Sequence, residues 1–167
     1  LNNWYMNVKG KNIIITGGSL GIGKETARAL VKKGANVLIT GRSENRLLEA
    51  KNHTGANIIE FDISDHENMS KNAIKCIDIL NGRIDVLINN AGVGVSRSIN
   101  ELSIEDFLKV FNVNVFGLAL FTKEIVPHMI KESYGTIINI GSTASLKGYK
   151  NGSIYSSSKF AVRCLTQ

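Results

Sequence analysis

The chain has 167 residues, of which 43% are hydrophobic and 20% charged, a balance typical of one folded domain rather than of a disordered segment. No apolar run reaches the roughly eighteen residues that a membrane-spanning helix requires, so no membrane partner is expected. The net charge of +6 comes from basic residues scattered between Lys9 and Arg163. Because these residues form no basic patch or stripe, no nucleic-acid partner is expected either.

The residues at the start of the chain and the cysteines bear on processing and compartment. Leu1 to Tyr5 precede Met6, and we expect them to be a leader outside the fold. Cys76 and Cys164 lie far apart and show no metal-ligand spacing. We therefore expect free thiols in a reducing compartment, which predicts a cytoplasmic protein. The three histidines stand alone, so no metal site is expected.

Short β-branched runs alternate with longer amphipathic stretches along the chain. The predicted strands cover residues 12–16, 36–40, 58–61, 84–88 and 136–140. The predicted helices cover residues 21–33, 43–53, 64–80 and 103–130, and a last helix begins near residue 155. This alternation predicts one α/β domain over residues 1–167, in which a doubly wound parallel sheet carries helices on both faces.

Several local signals support these helices. Ile22 and Leu30 share one apolar face of the first helix, and Gly34 follows its last turn as a stop signal. The spacing of Ser64 and Glu67 predicts a capping box at the start of the third helix. Pro127 is expected to bend the long fourth helix rather than to end it.

A glycine-rich turn joins the first strand to the first helix. Its sequence is Thr16-Gly17-Gly18-Ser19-Leu20-Gly21-Ile22-Gly23. Glycines in this position let the backbone approach a pyrophosphate closely, and the N-terminus of the following helix offers free N–H groups to the anion. The turn therefore predicts a dinucleotide site.

The spacing Thr-Gly-x-x-x-Gly-x-Gly resembles that of the short-chain dehydrogenase/reductase family, and four further motifs extend the resemblance over nearly the whole chain. These are Asn89-Asn90-Ala91-Gly92, Asn114, Ser142, and Tyr155-x-x-x-Lys159. The resemblance implies a Rossmann fold and an oxidoreductase that moves a hydride between a nicotinamide and a carbonyl or alcohol. Within the family, the overall pattern looks most like the 3-oxoacyl-carrier-protein reductases and their general ketoreductase relatives.

The resemblance also implies which residues bind the nicotinamide cofactor. They are Gly17, Ser19, Leu20, Gly21, Ile22, Gly23, Arg42, Asp62, Ile63, Asn90, Ala91, Gly92, Tyr155 and Lys159. The region after the second strand contains Arg42 and no acid before Glu44. Because a guanidinium grips a phosphate in bidentate fashion, we expect NADP(H) as cofactor, with NAD as the disfavoured alternative. Asp62 and Ile63 match the adenine-binding pair of the family.

Tyr155 and Lys159 are one helical turn apart, so they lie on one face of the predicted helix. A neighbouring ammonium favours the phenolate form, which suits Tyr155 to general acid–base work. The resemblance implies that Tyr155 protonates the carbonyl oxygen and that Lys159 tunes it and holds the nicotinamide ribose. It further implies that Ser142 orients the carbonyl and that Asn114 places a water that relays protons to Lys159.

Other functions remain open at this stage. A serine hydrolase would require Gly-x-Ser-x-Gly and a histidine partner, which Ser142 lacks. A non-catalytic NADP-binding module or an inactive truncated reductase would keep the glycine turn without turnover. A nucleic-acid binder would show steeply salt-dependent affinity.

Members of the resembling family continue beyond the last predicted helix, with a sixth strand, a loop that covers the substrate and a seventh strand. We therefore expect this chain to be C-terminally truncated and its fifth strand to be an exposed edge. By resemblance we also expect a homo-oligomer, either a dimer or a tetramer. The substrate is expected to be a small carbonyl or alcohol compound, with an acyl group linked to an acyl carrier protein as one form.

Overall fold

A computed structural model describes residues 7–167 as a parallel sheet enclosed by helices on both faces. The expected leader at residues 1–5 lies outside the described residues. In this part of the chain the five strands are β1 (Asn12–Ile15), β2 (Asn36–Gly41), β3 (Asn57–Glu60), β4 (Val86–Asn89) and β5 (Thr136–Asn139). The predicted α/β fold is confirmed.

The strand order is β3-β2-β1-β4-β5, and all neighbours pair in parallel. Ile14 of β1 pairs with Leu38 on one side and with Leu87 on the other, so β1 is central. The chain runs outward from β1 to β3 and then crosses back to β4. The order reverses between β1 and β4, and ligands bind open α/β sheets in the crevice outside the carboxyl ends of the strands at that point.

Two apolar layers cover the faces of the sheet. Helices α1 (Gly21–Lys32) and α2 (Glu44–Thr54) pack on one face, where Ala27 and Leu47 contact strand residues such as Ile39. Helices α3 (Met69–Ile79) and α5 (Leu118–Lys131) pack on the other face, where Cys76 and Phe121 surround Leu87. Central strands buried on both faces read as continuous apolar runs, as β1 does.

The third helix begins later than predicted. Ser64 and Glu67 do not form the expected capping box. The Ser64 hydroxyl donates a hydrogen bond to the Asp62 carboxylate at 2.7 Å. The backbone N–H of Ser64 donates to the same oxygen at 2.9 Å. Residues 62–68 therefore form a turn, and α3 starts at Met69.

The long fourth helix that was predicted over residues 103–130 is divided into three segments in the structure. Helix α4 (Ile104–Phe111) leads into a π-helical segment (Asn112–Gly117), and α5 follows. Helix α5 runs through Pro127 without ending. The last helix, α6 (Ser153–Thr166), starts two residues before Tyr155. The predicted apolar face of α1 is wrong at Ile22, whose side chain is 68% exposed.

Candidate active site

The glycine turn after β1 adopts a conformation that requires glycine. Gly17 has a φ of +65°, and a Cβ at this position would lie 2.8 Å from the backbone of Ala91. Residues with side chains rarely adopt this φ, and the adjacent loop leaves no room for one. The turn therefore packs directly against the loop that follows β4.

Hydrogen bonds lock these two loops together. The Thr16 hydroxyl accepts from the backbone N–H groups of Asn90 and Ala91, both at 3.1 Å. The Asn90 amide donates to the carbonyl oxygens of Thr16 and Gly17, at 3.0 and 2.9 Å. A Cβ at Gly23 would collide with the Asn90 amide, so Gly23 lets α1 approach this network. The result is a rigid floor at the reversal point of the sheet.

A cavity of about 310 Å³ opens above this floor. Ten of the residues predicted to bind the cofactor line it: Gly17, Ser19, Leu20, Gly21, Arg42, Asp62, Ile63, Asn90, Ala91 and Gly92. Ile22 and Gly23 do not line it, since Ile22 is exposed and Gly23 lies beneath Asn90. Tyr155 and Lys159 also lie outside its lining. Predicted residues that follow four different strands, β1 to β4, thus meet in one place.

Seven residues outside the set predicted to bind the cofactor also line the cavity. They are Thr40, Gly41, Ser43, Arg46, Phe61, Val93 and Val113. Most of them are sequence neighbours of predicted residues at the ends of strands. Their position in the sequence could therefore have identified them. Arg46 differs, because it lies inside α2. Its spacing from Arg42 is as typical of a solvated helix surface as of a binding site.

The end of the cavity near β2 is positively charged. Arg42 and Arg46 both line it, and neither has a carboxylate within salt-bridge distance among residues 7–167. Gly41 supplies no carboxylate there, and a Cβ at this position would lie 3.2 Å from the Ser19 hydroxyl. The only acid that lines this cavity among the described residues is Asp62, after β3.

Asn114 is held in the π segment and is 1% exposed. Its side-chain oxygen accepts from the backbone N–H of Val93 at 2.8 Å. Its amide nitrogen donates to the Val93 carbonyl at 2.9 Å and to the Ser158 hydroxyl at 3.0 Å. Asn114 thereby joins the loop after β4 to α6.

Two neighbours hold the π segment in place. A Cβ at Gly117 would lie 2.5 Å from the carbonyl oxygen of Ile63, so only glycine fits there. His66 Nε2 lies 3.0 Å from the carbonyl oxygen of Asn112. Because a carbonyl only accepts, this nitrogen carries the hydrogen and donates it. The turn at residues 62–68 therefore supports both Asp62 and the segment that carries Asn114.

Lys159 is 5% exposed, and its ammonium donates a hydrogen bond to the carbonyl oxygen of Ile140 at 2.7 Å. Burial disfavours the charged form and lowers the pKa of Lys159 below its ordinary value. A Cβ at Gly92 would lie 3.7 Å from Lys159 Nζ and 3.5 Å from Asn114 Oδ1. Lys159 and Asn114 therefore meet at the loop that floors the cavity.

Tyr155 lies near Lys159, and Ser142 lies on a neighbouring turn. Lys159 Nζ lies 6.0 Å from the centre of the Tyr155 ring, and a Cβ at Gly94 would lie 3.4 Å from that ring. Ser142 caps a short 3-10 turn (Thr143–Ser145) that packs on α6. Its hydroxyl accepts from the Ala144 N–H at 3.1 Å, which leaves the hydroxyl hydrogen available to donate.

Two features are absent from residues 7–167. No helix in this range is both long and apolar enough to cross a membrane. No three side chains of His, Cys, Asp or Glu in the same range form a group that would hold a metal ion.

A family model described as short chain dehydrogenase matches residues 11–167. The ketoacyl reductase HetN of Nostoc sp. is 36% identical over 155 residues, which are 90% of this chain and 54% of that protein. The chain therefore spans about half the length of this relative.

Two solved structures share the fold. A short-chain dehydrogenase/reductase from Burkholderia phymatum in complex with NAD superposes with a TM-score of 0.89 at 30% identity, over 97% of this chain and 59% of that one. A metagenomic short-chain oxidoreductase in complex with NADP gives a TM-score of 0.87 at 30% identity, over 96% and 75% of the two chains. Since the two neighbours hold different nicotinamide cofactors, likeness of fold does not choose between them.

Proposed function

Because the chain belongs to the short-chain dehydrogenase family, we propose that it is an NADP-dependent oxidoreductase that acts on a carbonyl or alcohol group. The observation that carries this proposal is the meeting of Asn114, Tyr155 and Lys159 at the loop after β4. That loop is also the floor of the cavity. In this proposal, a nicotinamide held in the cavity would lie beside the proton donor, Tyr155.

The residues of the cavity fit a dinucleotide. The N-cap of α1, Leu20, provides no side-chain hydrogen bond, so the first N–H groups of that helix are available to a pyrophosphate. Asp62 and Ile63 line the wall where an adenine would lie, and Asn90 and Gly92 line the floor. Arg42 would bind the 2′-phosphate that distinguishes NADP from NAD.

A bound NADPH would supply the hydride to the carbonyl carbon. The phenol of Tyr155 donates the proton to the carbonyl oxygen, and the reduced product is the alcohol. The ammonium of Lys159 stabilises the resulting phenolate, since an opposite charge favours the ionised form. The Ser142 hydroxyl donates to the same substrate oxygen and stabilises the charge that develops on it.

Asn114 is a positioning residue for Tyr155 and Lys159. Its side chain bonds Val93 and Ser158, which fixes the loop after β4 relative to α6. Lys159 lies on α6 one residue beyond Ser158. We infer that Asn114 also holds a water that returns protons to Lys159.

The proposed substrate is a 3-oxoacyl thioester, either free or linked to an acyl carrier protein. The ketoacyl reductase named above supports this class. The net charge of +6, with exposed Lys147 and Lys150 on the loop after the 3-10 turn, suits an acidic carrier protein. We further propose a cytoplasmic homo-oligomer in which α4 and α6 pack against a second copy, because these helices contact each other and expose Leu108 and Phe160.

NADPH oxidation with a 3-oxoacyl thioester and simple ketones tests the proposal. We expect Tyr155→Phe to lower kcat by about 100-fold or more, the usual contribution of a general acid. Tyr134→Phe is the matched control, since Tyr134 is 41% exposed and keeps its ring over Lys11. We expect this variant to turn over normally.

Equal turnover by the chain and Tyr155→Phe would contradict the proposed chemistry. NADPH binding without any turnover would favour the alternative, a non-catalytic NADP-binding module.

A further inference from the structure

Arg46 lies in the first turn of α2, two residues after Glu44. The N-terminus of a helix carries partial positive charge, so a cation there is disfavoured while an acid such as Glu44 is favoured. Departures from such local rules concentrate at functional sites. Arg46 has no carboxylate partner within residues 7–167 that would offset this cost.

The surroundings of Arg46 are those of an anion site. Arg46 lines the same end of the cavity as Arg42, Ser43 and Ser19. The Ser43 hydroxyl occupies the N-cap of α2 without making a capping hydrogen bond, so it is available to another acceptor or donor. Gly41 keeps a carboxylate away from this end. Two arginines and two serines thus line one cavity, in which the only acid among the described residues is Asp62, after β3.

We propose that Arg46 is the second cation that selects NADP over NAD, and that it clamps the 2′-phosphate together with Arg42. This inference rests on the proposed function, in which the cavity holds NADP. Two guanidinium groups present several N–H donors to the three oxygens of a phosphate monoester, which one arginine cannot saturate. Leu20, which lines the same cavity from the glycine turn, supplies no charge.

Equilibrium binding of NADPH and NADH to the full chain tests this role without relying on turnover. Adenosine 2′,5′-bisphosphate and 5′-AMP serve as smaller probes that differ only in the 2′-phosphate. For Arg46→Ala we expect the affinity for NADPH and for the bisphosphate to fall by about tenfold, which corresponds to about 1.4 kcal/mol. The affinities for NADH and 5′-AMP should stay within about twofold.

Lys51→Ala is the matched control, because it removes one exposed positive charge from the last turn of the same helix. We expect it to leave all four affinities unchanged. Arg46→Lys should restore only part of the preference, since an ammonium lacks the planar fork of a guanidinium.

The failures of the two proposals are distinguishable. If the chain prefers NADPH and Arg42→Ala removes that preference while Arg46→Ala does not, Arg46 has no role and the NADP proposal stands. If the unsubstituted chain binds NADH as tightly as NADPH, or binds neither, the NADP proposal is wrong and the role of Arg46 falls with it.

Discussion

Asp85 is buried directly before β4, at the amino ends of the strands and opposite the cavity. It is 1% exposed and accepts hydrogen bonds from the Asn12 N–H at 2.8 Å, from Lys11 at 3.2 Å and from Arg83 at 2.6 Å. Burial alone would raise the pKa of Asp85, but these three donors outweigh it, so the pKa lies below its ordinary value of 3.8. The cluster therefore stabilises the fold and takes no part in the proposed chemistry.

We expect Asp85→Asn to lower the free energy of unfolding at neutral pH by about 1–3 kcal/mol, because the donors lose a charged acceptor. Lys11 and Arg83 are partly exposed, so solvent screening reduces the loss. A group whose folded pKa is depressed stabilises fully above its unfolded pKa and stops stabilising as pH falls through the folded value. The difference between the two proteins in urea unfolding should therefore narrow below about pH 3.8.

Asp78→Asn is the control, since Asp78 is an exposed acid on α3. It should change stability by less than about 0.5 kcal/mol at either pH. An Asp85→Asn protein as stable as the original at neutral pH would show that the cluster contributes nothing.

At the scale of elements, the π segment is the feature that organises the site. Segments of this kind often occur at functional positions. Here the segment is wedged between the turn at residues 62–68 and α6, through His66 on one side and Ser158 on the other. Asp62, on that turn, lines the cavity, while Asn114 lies at its floor. The proposed adenine end and the proposed catalytic end thus share one support.

We expect Gly117→Ala to destabilise the fold by about 1–3 kcal/mol, the usual cost of overpacking. In an ordinary helix interior, alanine would instead be about 1 kcal/mol more favourable than glycine. At this position alanine is expected to be less favourable than glycine, because the new Cβ would meet two backbone carbonyl oxygens. These are the oxygens of Ile63 and Asn112, at 2.5 and 2.9 Å. Urea unfolding measures the change, and hydrogen exchange should rise in residues 62–68 and 112–117.

Gly148→Ala is the matched control, because a Cβ at Gly148 would meet nothing within 4 Å. It should be neutral within about 0.5 kcal/mol. A Gly117→Ala protein that is more stable than the original would mean that the π segment yields easily and does not fix Asn114.

Sequence patterns predicted the elements well where the cause is local and poorly where it is tertiary. The five apolar runs and the glycine turn follow from periodicity and backbone sterics, so both were predictable. The π segment was not, because its cause lies in contacts of Gly117 and Asn114 with distant loops. The capping box at Ser64 failed because Asp62, two residues earlier, accepts the backbone N–H of Ser64 that Glu67 was expected to accept.

At the scale of the whole molecule, the order of strands places the site. The glycine turn and the loop with Asn90 are 73 residues apart in sequence, yet they bond directly because β1 and β4 are neighbours. Motif order predicted this meeting. It did not predict that Arg46 lines the cavity, because this depends on where α2 packs rather than on any pattern in the chain.

Two of the apolar surfaces that are exposed in the described part of the chain predict two kinds of association. One is the free edge of β5, where Ile137 and Ile138 are 37% and 42% exposed beside a groove lined by Leu118, Val126 and Leu165. Unpaired edge strands with apolar side chains template open-ended aggregation. The other is the surface of α4 and α6 with Leu108 and Phe160, where a self-complementary contact closes into a discrete oligomer.

Sedimentation velocity of the original chain and of three variants distinguishes the contributions of these two surfaces. We expect Ile138→Lys to remove the large, concentration-dependent species and to leave the discrete oligomer, because a charge on an edge strand blocks further pairing. Leu108→Lys should do the reverse. Ile74→Lys, a like exchange at a 57% exposed position of α3, should alter neither. If Ile138→Lys aggregated as the original does, the β5 edge would not be the surface that recruits further copies. The groove beside this edge would then take no part in association.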